Sequence, residues 1–179
     1  MSSEISSPFS NLQSPIFLVG FMASGKTTVG RALAERLGVP FVDLDEEIVR
    51  AAGCTIAELI QQEGEAAFRA LETECLRRAA TQSAAVISLG GGAFTQASNR
   101  ALVSQAGVSI WLDAPFALCW ERIQRDAVVR PLAATEEEAR ARFQQRIPIY
   151  EQAQVHIHVT DDSSPASLTA EILARLPML

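Results

Sequence analysis

The sequence predicts an α/β fold in which helices cover both faces of a five-stranded parallel sheet, giving three layers. Short apolar runs alternate with segments of helical periodicity along the chain, which is typical of β–α–β units. Two of these runs, 85–89 and 108–112, are almost entirely apolar, as expected for strands buried on both faces. The length of 179 residues suits one domain of ordinary size.

The predicted strands are five short runs of mostly apolar or β-branched residues. They are 16–20, 41–44, 85–89, 108–112 and 155–159; the first ends at Gly20, and the others are followed directly by Asp45, Gly90, Asp113 and Thr160. Each run is followed by a segment that is marked as helical by its apolar spacing or by a capping signal. The sequence therefore predicts right-handed crossovers between parallel strands.

The predicted helices are 26–37, 45–52, one that begins at the capping box of Thr55 and Glu58, 65–80, 98–105, 115–125, 136–150 and 164–176. In the first of these, Val29, Leu33 and Leu37 recur at four-residue steps, and Gly38 follows as a left-handed cap. We expect Gly64 to separate the third helix from the fourth.

Composition excludes several classes of function. Residues 1–14 are polar and Ser-rich; they lack the features of a secretory signal, so we expect a flexible leader before a single domain at 15–179. A net charge of −6 argues against nucleic-acid partners, and no apolar run is long enough to span a membrane. Three widely spaced cysteines favour reduced thiols in the cytoplasm. We expect a monomer with small-molecule partners.

A phosphate-binding loop is predicted between the first strand and the first helix. Gly20, Gly25, Lys26 and Thr27 satisfy the pattern G-x-x-x-x-G-K-[ST] in that context. Lys26 is the only lysine beside fourteen arginines, as expected if a compact ammonium is needed among phosphate oxygens. We expect Lys26 to be an exposed loop side chain and Thr27 to ligate Mg²⁺.

The acceptor side is less sharply defined by local pattern. Asp43 and Asp45 end the second strand, at the edge where open α/β sheets bind ligands. One carboxylate could hold Mg²⁺ through water while the other orients or deprotonates a hydroxyl; alternatively, Asp45 is only a helix N-cap. The triplet 90–92 is either a flexible turn or a close approach of backbone to ligand.

Taken together, several segments resemble shikimate kinases from about Ile16 to the last helix. They are GFMASGKTTVGRALA, FVDLDEEI, EGEAAFRALE, SLGGGAF, RPL at 130–132 and RIPIY at 146–150. The resemblance implies the P-loop kinase fold, with strand order 2-3-1-4-5. It also implies an ATP:shikimate 3-phosphotransferase that makes shikimate 3-phosphate on the route to chorismate and the aromatic amino acids.

The resemblance also assigns roles to residues. The shikimate site would comprise Asp45, Phe68, Arg69, Glu72, Gly90, Gly91, Gly92 and Arg146. Arg69 and Arg146 would grip the substrate carboxylate, with Glu72 holding that network and Asp45 at the reacting hydroxyl. Thr27 and Asp43 would serve Mg²⁺. The ATP site would comprise Gly20, Met22, Ala23, Ser24, Gly25, Lys26, Thr27, Thr28, Arg122, Arg125, Arg130 and Pro165.

Two departures from the family pattern affect the ATP side. Ala23 stands where a third glycine is usual, so strain in the loop is expected. The stretch 125–130 is about one residue longer than usual, which leaves Arg122 and Arg125 as alternatives for stacking on adenine. Arg130 lies in the segment 126–137, which resembles the mobile lid, and would approach the transferring phosphoryl group.

Two other functions remain open on the residues alone. One is a kinase for another small polyol acid, such as gluconate, because an arginine pair and a glycine turn indicate a carboxylate-bearing substrate without naming it. The other is a non-catalytic ligand sensor on the same fold. A sensor could lose Lys26, Asp45 or Arg130 without penalty, and all three are present.

Overall fold

The computed structural model describes residues 13–125 and 135–176. Over these residues the chain forms a five-stranded parallel sheet: β1 (Ile16–Val19), β2 (Phe41–Asp43), β3 (Val86–Ser88), β4 (Val108–Asp113) and β5 (Val155–His158). The strand order is β2-β3-β1-β4-β5, and every pairing is parallel. The predicted fold class and strand order are confirmed.

Seven α-helices accompany the sheet in the described residues. They are α1 (Lys26–Leu37), α2 (Leu44–Ala52), α3 (Ile56–Ala79), α4 (Ala97–Ala106), α5 (Phe116–Arg125), α6 (Glu136–Tyr150) and α7 (Pro165–Arg175). A single 3-10 turn, Ala93–Thr95, lies between β3 and α4. None of the helices in the described residues is both long and apolar enough to cross a membrane.

Gly64 separates two helical parts of α3, which confirms the predicted break at this residue. The predicted helices on either side of Gly64 are the two parts of α3, and Gly64 itself has φ 88 and ψ 165. The glycine backbone takes these non-helical angles without a clash of a side chain, so the helical path changes direction and then resumes. The second part carries Phe68, Arg69 and Glu72.

The start of α2 settles which aspartate caps the helix. β2 ends at Asp43, and the Asp43 side chain accepts a hydrogen bond from the Asp45 N–H at 3.1 Å. Asp43 is therefore the N-cap, and the alternative in which Asp45 is only a cap is wrong. Asp45, in the first turn of α2, takes part in this cap through its backbone N–H.

The centre of the sheet forms the core and fixes where the loops emerge. Ile16, Phe17 and Leu18 of β1 are completely buried, as are Val86 and Ile87 of β3. Because all strands run in parallel, their carboxyl ends meet at one edge of the sheet. The phosphate-binding loop follows β1, Asp43 ends β2, and the three glycines follow β3, so tertiary structure brings these segments together.

Candidate functional site

A cavity of about 920 Å³ lies at the carboxyl edge of the sheet. Its walls include residues predicted for both substrates. These are Met22, Ala23, Ser24, Gly25, Lys26, Thr27, Thr28, Arg122 and Pro165 on the predicted nucleotide side, and Asp43, Asp45, Phe68, Arg69, Glu72, Gly90, Gly91, Gly92 and Arg146 on the acceptor side. The two predicted groups, which are separated in sequence, therefore share one continuous space.

The phosphate-binding loop owes its path to backbone angles that most residues avoid. Gly20 has φ 144 and Gly25 has φ 100. A side chain at Gly20 would also place its Cβ 2.8 Å from the carbonyl oxygen of Leu112, so glycine is required there for two reasons. Ala23 has φ 59 and is the one non-glycine residue with positive φ in the described parts of the chain. The predicted strain at Ala23 is thus present.

Lys26 is buried rather than exposed. Only 8% of its surface is accessible, and its Nζ donates hydrogen bonds to the carbonyl oxygens of Gly20, at 3.0 Å, and Phe21, at 2.7 Å. The expectation of an exposed loop side chain was wrong because Lys26 is the first residue of α1 and its stem folds back across the loop. The ammonium is thereby held against the first two residues of the loop.

Ser24 contributes a polar atom with no hydrogen-bond partner in the described residues. The Ser24 side chain is fully buried, and its Oγ lacks a partner. Burying a hydroxyl in this state is unfavourable unless a ligand or water completes its bonding. An unsatisfied hydroxyl in a loop that lines the cavity is suited to contact a bound phosphate.

Thr27 and Asp43 form a direct pair across the loop. The Thr27 Oγ1 donates to the Asp43 Oδ2 at 2.8 Å, and both residues line the cavity. Hydroxyl and carboxylate oxygens are the ligand types that Mg²⁺ prefers, usually as one or two protein oxygens with water and phosphate completing the shell. The donor set therefore fits the predicted metal.

Each glycine of the triplet after β3 leaves room for a different charged side chain. A Cβ on Gly90 would lie 2.5 Å from the Asp45 Oδ1, and one on Gly92 would lie 2.6 Å from the Arg69 Nη1. At Gly91 the neighbouring guanidinium is that of Arg146, at 3.4 Å. The turn is therefore a point where backbone and three charged groups approach one another closely, which a merely flexible turn does not require.

Arg69 is held by carboxylates on its own helix. The Arg69 Nη1 lies 2.9 Å from the Glu72 Oε2, and its Nη2 lies 3.2 Å from the Glu65 Oε1. Burial acts to lower the pKa of Arg69, but Glu72 and Glu65 outweigh it, so the pKa is raised. Burial raises the pKa of Glu72, and the charge of Asp45 adds to this effect, while Arg69 acts against it.

Arg146 and Tyr150 reach the same carbonyl from α6. The Arg146 Nη1 donates to the Gly91 carbonyl oxygen at 3.0 Å, and the Tyr150 hydroxyl donates to that oxygen as well. Burial raises the pKa of Tyr150 to about 12, so the hydroxyl keeps its proton at neutral pH. Tyr150 stands in the RIPIY segment, but no role was predicted for it; its separation by one helical turn from Arg146 is the signal that could have found it.

The structure distinguishes the two arginines of α5 by position. Arg122 donates from Nη1 to the Ala23 carbonyl oxygen at 3.2 Å and lines the cavity. Arg125 instead pairs with Glu121 at 2.6 Å on the exposed face of the helix and is absent from the cavity wall. Arg130 and residues 126–134 of the predicted lid lie outside the described residues.

An apolar wall of the cavity was not predicted. It is formed by the end of α2 and the first turns of α3, namely Val49, Ile56, Ala57 and Ile60, together with Thr55. Val159, Ser163 and Leu168 also line the cavity. The helical spacing of Ile56 and Ile60 indicates one apolar face, but spacing alone does not say whether such a face meets the core or a ligand.

Known proteins are similar to this chain over most of its length. The profile of the shikimate kinase family matches residues 22–177. A shikimate kinase of Ruegeria pomeroyi is 39% identical over 168 residues, which is 92% of this chain and 86% of the relative. A shikimate kinase of Cereibacter sphaeroides is 44% identical over 149 residues, covering 82% of this chain and 74% of the relative.

A solved structure is similar to this chain in fold as well as in sequence. The shikimate kinase of Acinetobacter baumannii in complex with shikimate superposes with a TM-score of 0.87 at 39% identity, and the match covers 96% of this chain and 97% of that one. Family profile, close relatives and solved structure all confirm the resemblance on which the residue predictions depend. The chain belongs to the shikimate kinase family.

Proposed function

We propose that this protein transfers the γ-phosphoryl group of ATP to the 3-hydroxyl of shikimate and releases shikimate 3-phosphate and ADP. The observation that carries the proposal is that a complete phosphate-binding loop and a separate set of charged acceptor residues line one cavity. Membership of the shikimate kinase family supports the choice of shikimate over other hydroxy acids.

The phosphate end of the cavity supplies donors and positive charge. Backbone N–H groups of the loop, together with the N-terminus of α1, would bind phosphate oxygens. Lys26 would turn from the carbonyls of Gly20 and Phe21 toward the β- and γ-phosphates, and the buried Ser24 hydroxyl would gain the partner that it lacks. These contacts position the transferring group and stabilise its charge.

Magnesium would be held from the side of β2 and α1. Thr27 would contribute its hydroxyl oxygen directly, and Asp43, at 2.8 Å from that oxygen, would hold the ion through water. When bound, Mg²⁺ neutralises phosphate charge during transfer. Asp43 would keep its additional role as the cap of α2.

The acceptor end would orient shikimate by its carboxylate and activate its hydroxyl. Arg69 and Arg146 lie beside Gly92 and Gly91 and would receive the carboxylate between them. Asp45 would accept the proton of the 3-hydroxyl as the hydroxyl oxygen forms its bond to the γ-phosphorus and the bond to the ADP oxygen breaks. Phe68, which is buried beside Arg69, would pack near the ring.

Adenine would lie toward α5 and α7. Arg122 of α5 and Pro165 of α7 both line the cavity, and Arg122 donates a hydrogen bond to the phosphate-binding loop. We infer cytoplasmic residence and a monomeric state. Cys54, Cys75 and Cys119, all within the described residues, form no disulfide, which suits a reducing compartment.

A substrate panel tests the proposal. The purified full chain is assayed for ADP release with ATP, Mg²⁺ and either shikimate, quinate or gluconate, and Lys26→Ala serves as the inactive control. We expect kcat/KM to be highest for shikimate. A higher kcat/KM for gluconate would show that gluconate, not shikimate, is the acceptor substrate. Saturable shikimate binding without any ADP release would indicate a sensor instead of an enzyme.

A further inference from the structure

Gln96 connects the glycine turn to the buried carboxylate of Glu72. It follows the 3-10 turn Ala93–Thr95, and its backbone N–H donates to the Ala93 carbonyl oxygen at 3.4 Å. Its side-chain Nε2 donates to the Glu72 Oε2 at 3.2 Å. The direction of this bond follows from chemistry, because an ionised carboxylate accepts hydrogen bonds only. Gln96 itself does not line the cavity.

The Glu72 oxygen that accepts from Gln96 also accepts from Arg69. The Glu72 side chain is only 1% exposed, and its two oxygens lie 2.9 and 3.2 Å from the Arg69 Nη1. Residues 96 and 72 are 24 positions apart, so this chain of contacts joins α3 to the segment after β3. Arg69 is the last residue in this series of contacts and lies beside Gly92 at the cavity wall.

We propose that Gln96 is a positioning residue for the acceptor substrate: it holds Glu72, and Glu72 in turn fixes the Arg69 guanidinium beside Gly92. The inference rests on the proposed function, in which Arg69 binds the carboxylate of shikimate. Gln96 touches neither substrate in this arrangement. Its effect is to keep a long, rotatable guanidinium in the one orientation that faces the cavity.

The charges around Glu72 explain why one amide donor matters there. Burial raises the pKa of Glu72, and the nearby Asp45 on α2 adds to the increase. Arg69 opposes both, and the hydrogen bond from Gln96 also lowers the pKa. On α3, Glu65 shares Arg69 with Glu72. Gln96 is therefore a neutral donor that helps Glu72 remain ionised among two other carboxylates.

Removal of the donor should weaken shikimate binding selectively. In Gln96→Met, a similar volume remains but Glu72 loses a hydrogen bond, so we expect the KM for shikimate to rise about 3- to 10-fold at neutral pH. The KM for ATP should not change, since the phosphate loop is not part of this contact chain. Gln105→Met is the matched control, because Gln105 is exposed near the end of α4, the helix that Gln96 precedes.

Measuring the KM for shikimate at lower pH distinguishes a loss of positioning in the Gln96 variants from a general loss of structure. Without the amide donor the pKa of Glu72 is higher, so Glu72 is protonated at a higher pH and holds Arg69 less firmly; the KM of Gln96→Met should therefore worsen further as pH falls. In Gln96→Glu two carboxylates face each other at neutral pH, which should give a larger defect. On acidification they share a proton that can take the place of the amide hydrogen, so its KM should move back toward the wild-type value.

Wild-type turnover of shikimate is measured first, because its absence overturns the proposed function. Where wild type is active, an unchanged KM for shikimate in Gln96→Met overturns the positioning role alone. Parallel pH trends in Gln96→Met and Gln96→Glu, or equal rises in the KM values for ATP and shikimate, would do the same. The expected result is that, as pH falls, the KM for shikimate rises in Gln96→Met and decreases in Gln96→Glu. The KM of Gln105→Met should stay like that of wild type.

Discussion

Arg122 on α5 donates a hydrogen bond to the backbone carbonyl of Ala23, 99 residues earlier in the chain. The contact joins the helix that leads toward the predicted lid to the one strained residue of the phosphate-binding loop. It places a guanidinium beside the space where the phosphates are proposed to bind.

Arg122→Ala is expected to raise the KM for ATP by about 10-fold or more. The reason is that a charge-assisted hydrogen bond from the Arg122 guanidinium to bound ATP would contribute about 1.5–3 kcal/mol. Arg125→Ala, on the same helix, should change it less than about 2-fold, since exposed ion pairs such as Arg125–Glu121 contribute little. Steady-state kinetics with ATP varied checks both. A larger rise of the KM for ATP in Arg125→Ala than in Arg122→Ala would indicate that Arg125 is the arginine that contacts ATP.

Ala23→Gly is expected to stabilise the protein. Alanine is strained at φ 59, and relief of that strain should outweigh the added freedom of glycine in the unfolded chain, giving up to about 1 kcal/mol. For a chain of this size the melting temperature should rise by about 2–4 °C. Ala32→Gly, inside α1, should lower it by a similar amount because glycine disfavours a helix interior. A decrease at both positions would argue against strain at Ala23.

Asp45→Asn is expected to lower kcat by about 10²–10⁴ with little change in the KM for ATP, because an amide cannot accept the proton of the attacking hydroxyl. The melting temperature should hardly change, since the cap of α2 is Asp43. Asp43→Ala provides the contrast: loss of the cap should cost about 1 kcal/mol of stability. Full activity in Asp45→Asn would remove Asp45 from the chemistry.

Arg146→Ala and Arg69→Ala are each expected to raise the KM for shikimate by about 10- to 150-fold, since each removes a charged hydrogen bond to the carboxylate. Their effects on stability should differ. Arg69→Ala leaves the buried Glu72 without its main partner and should lower the melting temperature more. Arg77→Ala, exposed on α3, is the control. Unchanged shikimate kinetics in Arg146→Ala would refute the convergence of the two arginines.

Tyr150→Phe is expected to weaken the fold near Gly91 in a pH-dependent way. The pKa of Tyr150 is raised from 10.0 to about 12, so its stabilising effect is fully present below pH 10 and is lost as pH rises through about 12. Wild type should thus melt a few degrees above Tyr150→Phe at neutral pH, since a net hydrogen bond contributes about 1 kcal/mol. The difference should shrink above pH 10 in thermal scans. A difference that grows instead would contradict the hydroxyl donor.

Local sequence patterns predicted the sheet and the loop because their causes are local. Apolar runs determined the strands, and the spacing of Gly20, Gly25 and Lys26 determined the loop. The same local view failed at Lys26, whose burial depends on how its side chain folds back onto carbonyls. It succeeded at Gly64, where non-helical backbone angles separate the two helical parts of α3 as predicted.

By itself, the sequence determined the order of strands and helices and the pattern of the loop. Through family resemblance it also indicated the strand order and predicted the residues of both sites. Only the tertiary structure decided that Asp43 caps α2, that Arg122 rather than Arg125 faces the cavity, and that Gln96 bonds to Glu72. The physical reason is that periodicity and capping act over a few residues. Contacts between distant side chains depend on how crossovers place whole elements at one edge of the sheet, and no local pattern records that placement.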